Sequence, residues 1–139
     1  MTLPEWIAYY NQKNPHDPFQ PTAGFAFFFV PEKGFCEARF LKDMVIIGQL
    51  AGDANFFKEK VEDVARKFGV CEGGTLCIRR EIRAYIRRFG YVADRIEELP
   101  DGKQRYFCHH RESGKWGLVS PGFTYDKTGE TAYFVTWEI

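Results

Sequence analysis

A run of small and polar residues, GQLAGDA at positions 48–54, separates an apolar stretch from an amphipathic one. If these stretches are a strand and a helix, the first backbone N–H groups of the helix are unpaired, and with the helix dipole they attract phosphate oxygens. Small residues such as Gly48, Ala51 and Gly52 would let a ligand approach the backbone. Asp53 indicates the opposite, because a carboxylate repels phosphate and is a favoured helix N-cap. The segment is therefore either a cradle for a phosphorylated cofactor or a capped turn.

A dense group of basic residues follows further along the chain, with only Glu81 to balance it. The group consists of Arg79, Arg80, Arg83, Arg87 and Arg88. Guanidinium groups bind phosphates and carboxylates, so the pattern is compatible with an anion site for a cofactor 3′-phosphate, a nucleic acid or an acidic partner. The alternative is a solvated helix face whose charge is balanced elsewhere, in agreement with a formal net charge of zero.

The tripeptide Cys108-His109-His110, together with Cys71 or Cys77, has the residue types of a zinc site. Neighbouring side chains of a strand point to opposite faces, so the three cannot converge easily, and no zinc-ligand spacing is present. We therefore predict structural roles for these residues and no metal site. The cysteines form no Cys-x-x-Cys pair, which favours reduced thiols.

The composition indicates a globular protein and excludes several classes of partner. The chain has 139 residues, enough for one domain with its own core, of which 45% are hydrophobic and 27% charged. Equal numbers of acidic and basic residues predict no nucleic-acid or membrane partner. The sequence contains neither a long apolar span nor the basic start and apolar core of a signal peptide, so we predict a cytoplasmic location.

Strand and helix patterns alternate over the first two thirds of the chain. The predicted elements are a helix at 3–13, a proline-rich loop at 14–21, strands at 24–30, 35–41 and 44–47, a helix at 55–68, a strand at 75–78 and a helix at 82–89. The apolar run GFAFFFV at 24–30 predicts a central strand buried on both faces, with a stacking surface or an interface as the alternatives.

The last third is rich in strand patterns separated by Asp-Gly, Ser-Gly and Thr-Gly turns. The predicted strands are 95–99, 104–110, 115–119, 123–125 and 131–138, which together indicate an antiparallel meander. The aromatic final strand is either an edge strand that could pair with another subunit or, by default, a paired strand inside the domain. The fold class predicted by these elements is α/β (α+β) in one domain.

Two segments carry a resemblance to a known family. The strand–turn–helix pattern around 46–60 resembles the acyl-coenzyme A pyrophosphate loop of the GNAT superfamily of N-acetyltransferases. The family pattern Q/R-x-x-G-x-G/A is matched by Gln49, Gly52 and Ala54. The second segment, TLCIRREIRAYIRRFGYV, resembles the next strand and helix of the family, and its form is similar to that of divergent GNAT-like proteins of phages and prophages.

The resemblance covers residues 24–92 and implies how the chain is organised. It implies a GNAT-like mixed sheet flanked by helices, in one domain spanning 1–139. Residues 1–23 would be an N-terminal helix and loop, 24–92 the GNAT-like core, and 93–139 the antiparallel meander.

The resemblance also implies an acetyl-coenzyme A site and an amine substrate. The implied cofactor-binding residues are Ile47, Gly48, Gln49, Leu50, Ala51, Gly52, Asp53 and Ala54. In the family, the amine attacks the thioester while a backbone N–H stabilises the oxyanion, here from positions 45–47. Glu37 is the candidate base, against the alternative of a solvated strand residue, and Tyr85 is the candidate acid, against the alternative of a core residue.

Three departures from the family keep two functions open. The position of the family's usual acidic Tyr is Ile86, the Asn that opens the helix is matched by Arg79, and the part before residue 24 is shorter than the family's acceptor-substrate region. One hypothesis is a divergent acyl-coenzyme A-dependent N-acetyltransferase. The other, which the departures favour, is a phage-encoded binding or accessory protein in the host cytoplasm whose GNAT-derived fold has lost catalysis.

Overall fold

The computed structural model describes residues 1–78 and 81–139. In these ranges the chain forms two compact units, Met1–Cys71 and Glu72–Ile139. The elements are α1 (Leu3–Lys13), β1 (Ala26–Val30), β2 (Gly34–Phe40), β3 (Val45–Gly52), α2 (Ala54–Lys67), β4 (Glu72–Ile78), α3 (Ile82–Arg88), β5 (Tyr91–Glu98), β6 (Gln104–His110), β7 (Trp116–Thr124) and β8 (Thr131–Glu138). They confirm the α+β class. The single-domain organisation stays a prediction, and the boundary between the units falls inside the predicted core segment 24–92.

Helix α1 has the bounds that the sequence predicts, because its start carries a complete capping box. The Thr2 hydroxyl accepts a hydrogen bond from the Glu5 backbone N–H at 3.3 Å, and the Glu5 carboxylate accepts one from the Thr2 N–H at 2.9 Å. The indole N–H of Trp6 donates to the carbonyl of Pro31 at 2.9 Å, which attaches the helix to the β1–β2 turn.

The first unit contains an antiparallel sheet in which β2 pairs with both β1 and β3. The prediction that the aromatic run is a central strand buried on both faces is wrong: among the described residues β1 pairs only with β2, and the Phe27 side chain is 43% exposed. The side chains of the run instead pack against other aromatic rings, Phe27 on one face of the sheet and Phe28, against Phe40, on the other. Phe27 stacks on Phe35 with centroids 5.5 Å apart, and Phe19 packs on both rings.

Helix α2 packs its apolar face on β2 and β3 of the same unit. Its buried residues, Phe57, Val61 and Ala65, recur at helical spacing, as the sequence predicts. The helix ends at Lys67, and Gly69 follows with a φ of +73°, the left-handed conformation that commonly terminates a helix.

The second unit contains a five-stranded antiparallel sheet in the order β4-β8-β7-β6-β5. The predicted meander is confirmed, and β8 is a paired strand between β4 and β7 rather than an edge strand. The predicted strands 115–119 and 123–125 form a single strand, β7, whose register shifts between Pro121 and Phe123.

Helix α3 and the sheet of the second unit share one buried cluster. The cluster consists of Cys77, Ile82, Ile86, Tyr106, Cys108 and Val119. None of the helices within the described ranges has both the length and the apolar character needed to cross a membrane.

Candidate functional site

Strand β3 extends through most of the segment predicted to form a cofactor loop. The predicted strand ends at Ile47, whereas β3 continues to Gly52 because its second half pairs with β2. Leu50 lies opposite Cys36, Ala51 opposite Phe35, and the N–H of Asp53 donates to the Lys33 carbonyl at 2.9 Å. The prediction that a loop starts at Gly48 is therefore wrong. Only Asp53 lies between the strand and the helix.

Position 52 requires a glycine because the backbone there lies close to the backbone of Lys33 and Gly34. Its φ is +100°, and a Cβ at this position would lie 1.9 Å from the carbonyl oxygen of Lys33. Gly34, directly opposite on β2, has the same constraint, since a Cβ there would lie 1.9 Å from the carbonyl oxygen of Ala51. The close backbone contact alone therefore explains why position 52 is a glycine, although the resemblance assigns this residue to a cofactor site.

Gln49 ties the N-terminal loop to the sheet. Its side-chain amide donates to the Gln20 carbonyl at 2.6 Å, and its carbonyl oxygen accepts from the Gln20 N–H at 3.3 Å. The same amide nitrogen lies 3.3 Å from the Thr22 hydroxyl. The Gln49 side chain therefore pairs with the backbone N–H and carbonyl of Gln20, in place of a neighbouring strand.

Glu37 lies buried at a bulge between β2 and β3. The register shifts between Cys36 and Ala38, so that Glu37 faces both Gly48 and Gln49. Its side chain is 4% exposed, and its Oε1 accepts from the Gln49 N–H at 3.1 Å, the Gln49 side-chain amide at 3.1 Å and the Thr22 hydroxyl at 2.9 Å. The alternative that Glu37 is a solvated strand residue is wrong, because the bulge turns it towards these three donors.

Two neighbouring groups show the electrostatic influence of this buried carboxylate. Burial, followed by the nearby negative charge of Glu37, raises the pKa of the Cys36 thiol to about 12. Burial also raises the pKa of Tyr10, with smaller contributions from Asp17 and Glu37. The Glu37 side chain leaves no room for a side chain at Gly48, since a Cβ there would lie 2.5 Å from Glu37 Oε1.

Asp53 is the N-cap of α2, as one of the two alternatives predicts. Its Oδ1 accepts from the Phe56 N–H at 3.0 Å, and its Oδ2 lies 3.5 Å from the Lys33 ammonium group. Ala54 is the first residue of the helix. Asp53 therefore places a negative charge at the helix end that a phosphate would need to approach.

Tyr85, the candidate acid, belongs to the second unit. Its ring packs edge-on against Phe89 with centroids 5.0 Å apart, and it lies partly buried against the α3 cluster. Tyr85 thus packs at the margin of the core, and its role as an acid stays a prediction.

The predicted arginine group is only partly described, because Arg79 and Arg80 lie outside the described residues. Arg83, Arg87 and Arg88 are exposed on α3. Among the described residues, none of these three forms an ion pair with an acidic side chain. Their exposure agrees with the alternative of a solvated helix face whose charge is balanced elsewhere in the chain.

The two adjacent histidines have separate partners. His109 Nδ1 lies 2.6 Å from Asp94 Oδ1, whereas His110 Nδ1 accepts from the N–H groups of Glu112 and Ser113 at 3.3 Å. Cys108 is buried, and burial, with a smaller contribution from Asp94, raises its pKa to about 11. In the described parts of the chain, no three His, Cys, Asp or Glu side chains are grouped to hold a metal ion.

Sequence reasoning missed the part of the site that is distant in the chain. Gln20 and Thr22 contact Gln49 and Glu37 from a proline-rich loop, and no spacing in the sequence indicates that pairing. The only indication in the sequence was the charged residue Glu37 within the alternating pattern of the strand at 35–41.

Comparison of the chain with protein-family models and with curated proteins finds no match.

Proposed function

We propose that this chain is a GNAT-like protein that keeps the strand–helix scaffold of that superfamily and acts as a non-catalytic binding or accessory protein. The order β3, α2, β4, α3 supports the scaffold, since it follows the order that the two resembling segments imply. A mixed sheet of GNAT type, a phage origin and a location in the host cytoplasm belong to the same proposal.

The observation that carries this proposal is the internal use of Gln49. The resemblance places this residue at the start of a pyrophosphate loop, yet its side chain bonds Gln20, Thr22 and Glu37. Leu50 and Ala51 belong to a strand ladder, and Asp53 caps the helix. A cofactor would have to compete with contacts made within the first unit.

Calorimetry with acetyl-coenzyme A tests the proposal. We expect no binding heat at millimolar ligand with the natural chain, because the implied donors are engaged and Asp53 repels the pyrophosphate. The matched variant Asp53→Asn keeps the cap and removes the charge, so it separates repulsion from occupied donors. Micromolar binding by the natural chain that is lost in Ala54→Glu would overturn the proposal.

The second candidate is an acyl-coenzyme A-dependent N-acetyltransferase, and the buried Glu37 favours it. A carboxylate held by three donors is pre-positioned, as a general base must be. In this candidate an amine attacks the thioester carbonyl, Glu37 accepts the amine proton, and a backbone N–H from positions 45–47 binds the oxyanion.

Thiol release from acetyl-coenzyme A, followed with a panel of primary amines, tests this candidate. It predicts turnover that falls at least about a hundredfold in Glu37→Gln, since general-base catalysis contributes about that much. Absence of amine-dependent thiol release from the natural chain removes the candidate.

A further inference from the structure

The second unit contains a surface depression of about 430 Å³ beside helix α3. Its lining includes Arg83, Ile86, Arg87, Tyr91, Ile96 and Arg111. These residues come from α3, from β5 and from the turn after β6. Its volume lies within the range of small-molecule pockets, which is roughly 300–1,000 Å³.

The depression exists because α3 is too short to cover the sheet beneath it. Seven residues of helix span only about 10 Å. Ile96 lies opposite the buried Tyr106 in the β5–β6 register, and therefore on the sheet face that carries the cluster, yet it is 40% exposed. The uncovered margin of the core is thus an apolar floor open to a ligand.

The rim of the depression is positively charged and has no acidic lining residue among those described. Arg83 and Arg87 are four positions apart on α3, where like charges disfavour the helix. Arg83 lies 5.9 Å above the Tyr106 ring, and within the described ranges no carboxylate pairs with Arg83, Arg87 or Arg111. A bound anion would relieve this repulsion.

Two of the three acidic residues of β5 pair with residues outside the depression, and none of the three lines it, which keeps the rim positive. Asp94 lies 2.6 Å from His109 Nδ1, and Glu97 pairs with Arg105 at 2.9 Å. Both partners are on β6. Neither carboxylate lines the depression.

The third arginine is brought to the rim by backbone contacts. The N–H of Arg111 donates to the carbonyl of Gly90 at 2.8 Å, which joins the turn after β6 to the end of α3. The rings of Tyr91 and His110 pack edge-on at 5.1 Å, and a Cβ at Gly90 would lie 2.9 Å from His110 Nε2. The spacing between α3 and Arg111 is therefore set by close packing.

We propose that this depression binds a small organic phosphate monoester, with the phosphate held by Arg83, Arg87 and Arg111 and an apolar or aromatic body placed on Ile86 and Ile96. A dianionic group suits three guanidinium groups better than a single carboxylate does, because arginine binds phosphate oxygens in bidentate pairs. The site includes neither Glu37 and Gln49 nor the residues that they contact. Its failure would therefore leave the proposed function untouched.

Calorimetry with phenyl phosphate, inorganic phosphate and benzoate tests the site on the full chain. We expect phenyl phosphate to bind at least about tenfold more tightly than either fragment, since the charge and the apolar body each contribute. Arg87→Gln and Arg111→Gln should each weaken binding about tenfold, the loss expected for one charged hydrogen-bonded pair. Arg66→Gln, an exposed arginine on α2, is the matched control and should leave affinity unchanged.

The variant Ile96→Ser distinguishes binding that uses the apolar floor of the depression from binding by charge attraction alone. It should weaken phenyl phosphate binding and leave inorganic phosphate binding unchanged. Amide chemical shifts in α3 and β5 then show whether the ligand occupies the depression. Three results would overturn the proposal: no binding at millimolar phenyl phosphate, equal affinity for inorganic phosphate, or an affinity for single-stranded RNA that increases with its length.

Discussion

Contacts inside the first unit determine which residue types are tolerated at several positions of β2 and β3. Gly34 and Gly52 face each other where a Cβ on either would overlap the opposite backbone, and Glu37 and Gln49 lie at the bulge further along the two strands. Each of these residues also fits a ligand-binding explanation when only its type is known. Substitutions that separate strain from lost hydrogen bonds therefore distinguish the two explanations.

Gly52→Ala should destabilise the protein by about 3 kcal/mol or more, because the left-handed backbone and a Cβ overlapping the Lys33 carbonyl both oppose it. Gly69→Ala is the matched control. It has a φ of +73° with no atom within 4 Å of the added Cβ, so only the backbone conformation is penalised, by about 1 kcal/mol. Urea denaturation followed by circular dichroism gives both values, and equal losses would contradict the backbone-overlap argument.

Replacement of Glu37 should depend on whether an acceptor oxygen remains. Glu37→Gln keeps one for the Thr22 and Gln49 donors, and we expect a loss of about 1 kcal/mol. Glu37→Leu removes every acceptor and leaves those donors unpaired, for a loss of about 2–4 kcal/mol. The free energies of unfolding of the two variants check this order, and greater stability of the leucine variant would contradict a structural role for the carboxylate.

At the level of elements, the start of α2 is specified by its N-cap. Asp53→Ala removes the acceptor for the Phe56 N–H and should lower the free energy of unfolding by about 1 kcal/mol. Asp53→Asn should retain most of that stability, because asparagine caps equally well. Asp63→Ala, which breaks an exposed pair with Arg66, is the control and should change stability by less than about 0.5 kcal/mol. Thermal unfolding would contradict the cap if both alanine variants behaved alike.

Helices and turns could be predicted from the sequence because their signals are local. Thr2 and Asp53 mark helix starts, and Gly69 and Gly90 mark helix ends, each within one turn of the element concerned. Strand limits depend on a partner that is distant in sequence. The predicted end of β3 at Ile47 was early because β2 extends the ladder to Gly52.

The same difference between local and distant contacts limits what could be predicted of the candidate site. The spacing of Gln49, Gly52 and Ala54 suggested a ligand, but the partner of Gln49 is a loop 29 positions away. The depression beside α3 joins a helix, a strand and the turn at Arg111, and only its helix was visible as a basic pattern. Side-chain chemistry could be predicted, whereas the residues that surround it could not.

At the scale of the whole molecule, each unit buries a thiol whose pKa is raised. Burial is the main cause for both, raising the pKa of Cys36 to about 12 and that of Cys108 to about 11 from a usual 9.0. Between the usual and the raised value, the folded chain holds a proton that the unfolded chain has lost. The stabilisation is therefore complete below about pH 9 and decreases as the pH rises towards the folded pKa.

This sign predicts alkaline destabilisation that is specific to the buried cysteines. Above pH 9, each such thiol should lower the free energy of unfolding by up to about 1.4 kcal/mol per pH unit. Cys36→Ala opens a small cavity and lowers stability at pH 8, but it should flatten the decline between pH 9 and pH 10.5. Cys71→Ala is the control, because Cys71 is exposed and its removal should leave the slope unchanged. Urea titrations across this range measure both slopes. An equally steep fall in the free energy of unfolding of Cys36→Ala and of the natural chain would contradict a raised pKa of Cys36 in the folded protein.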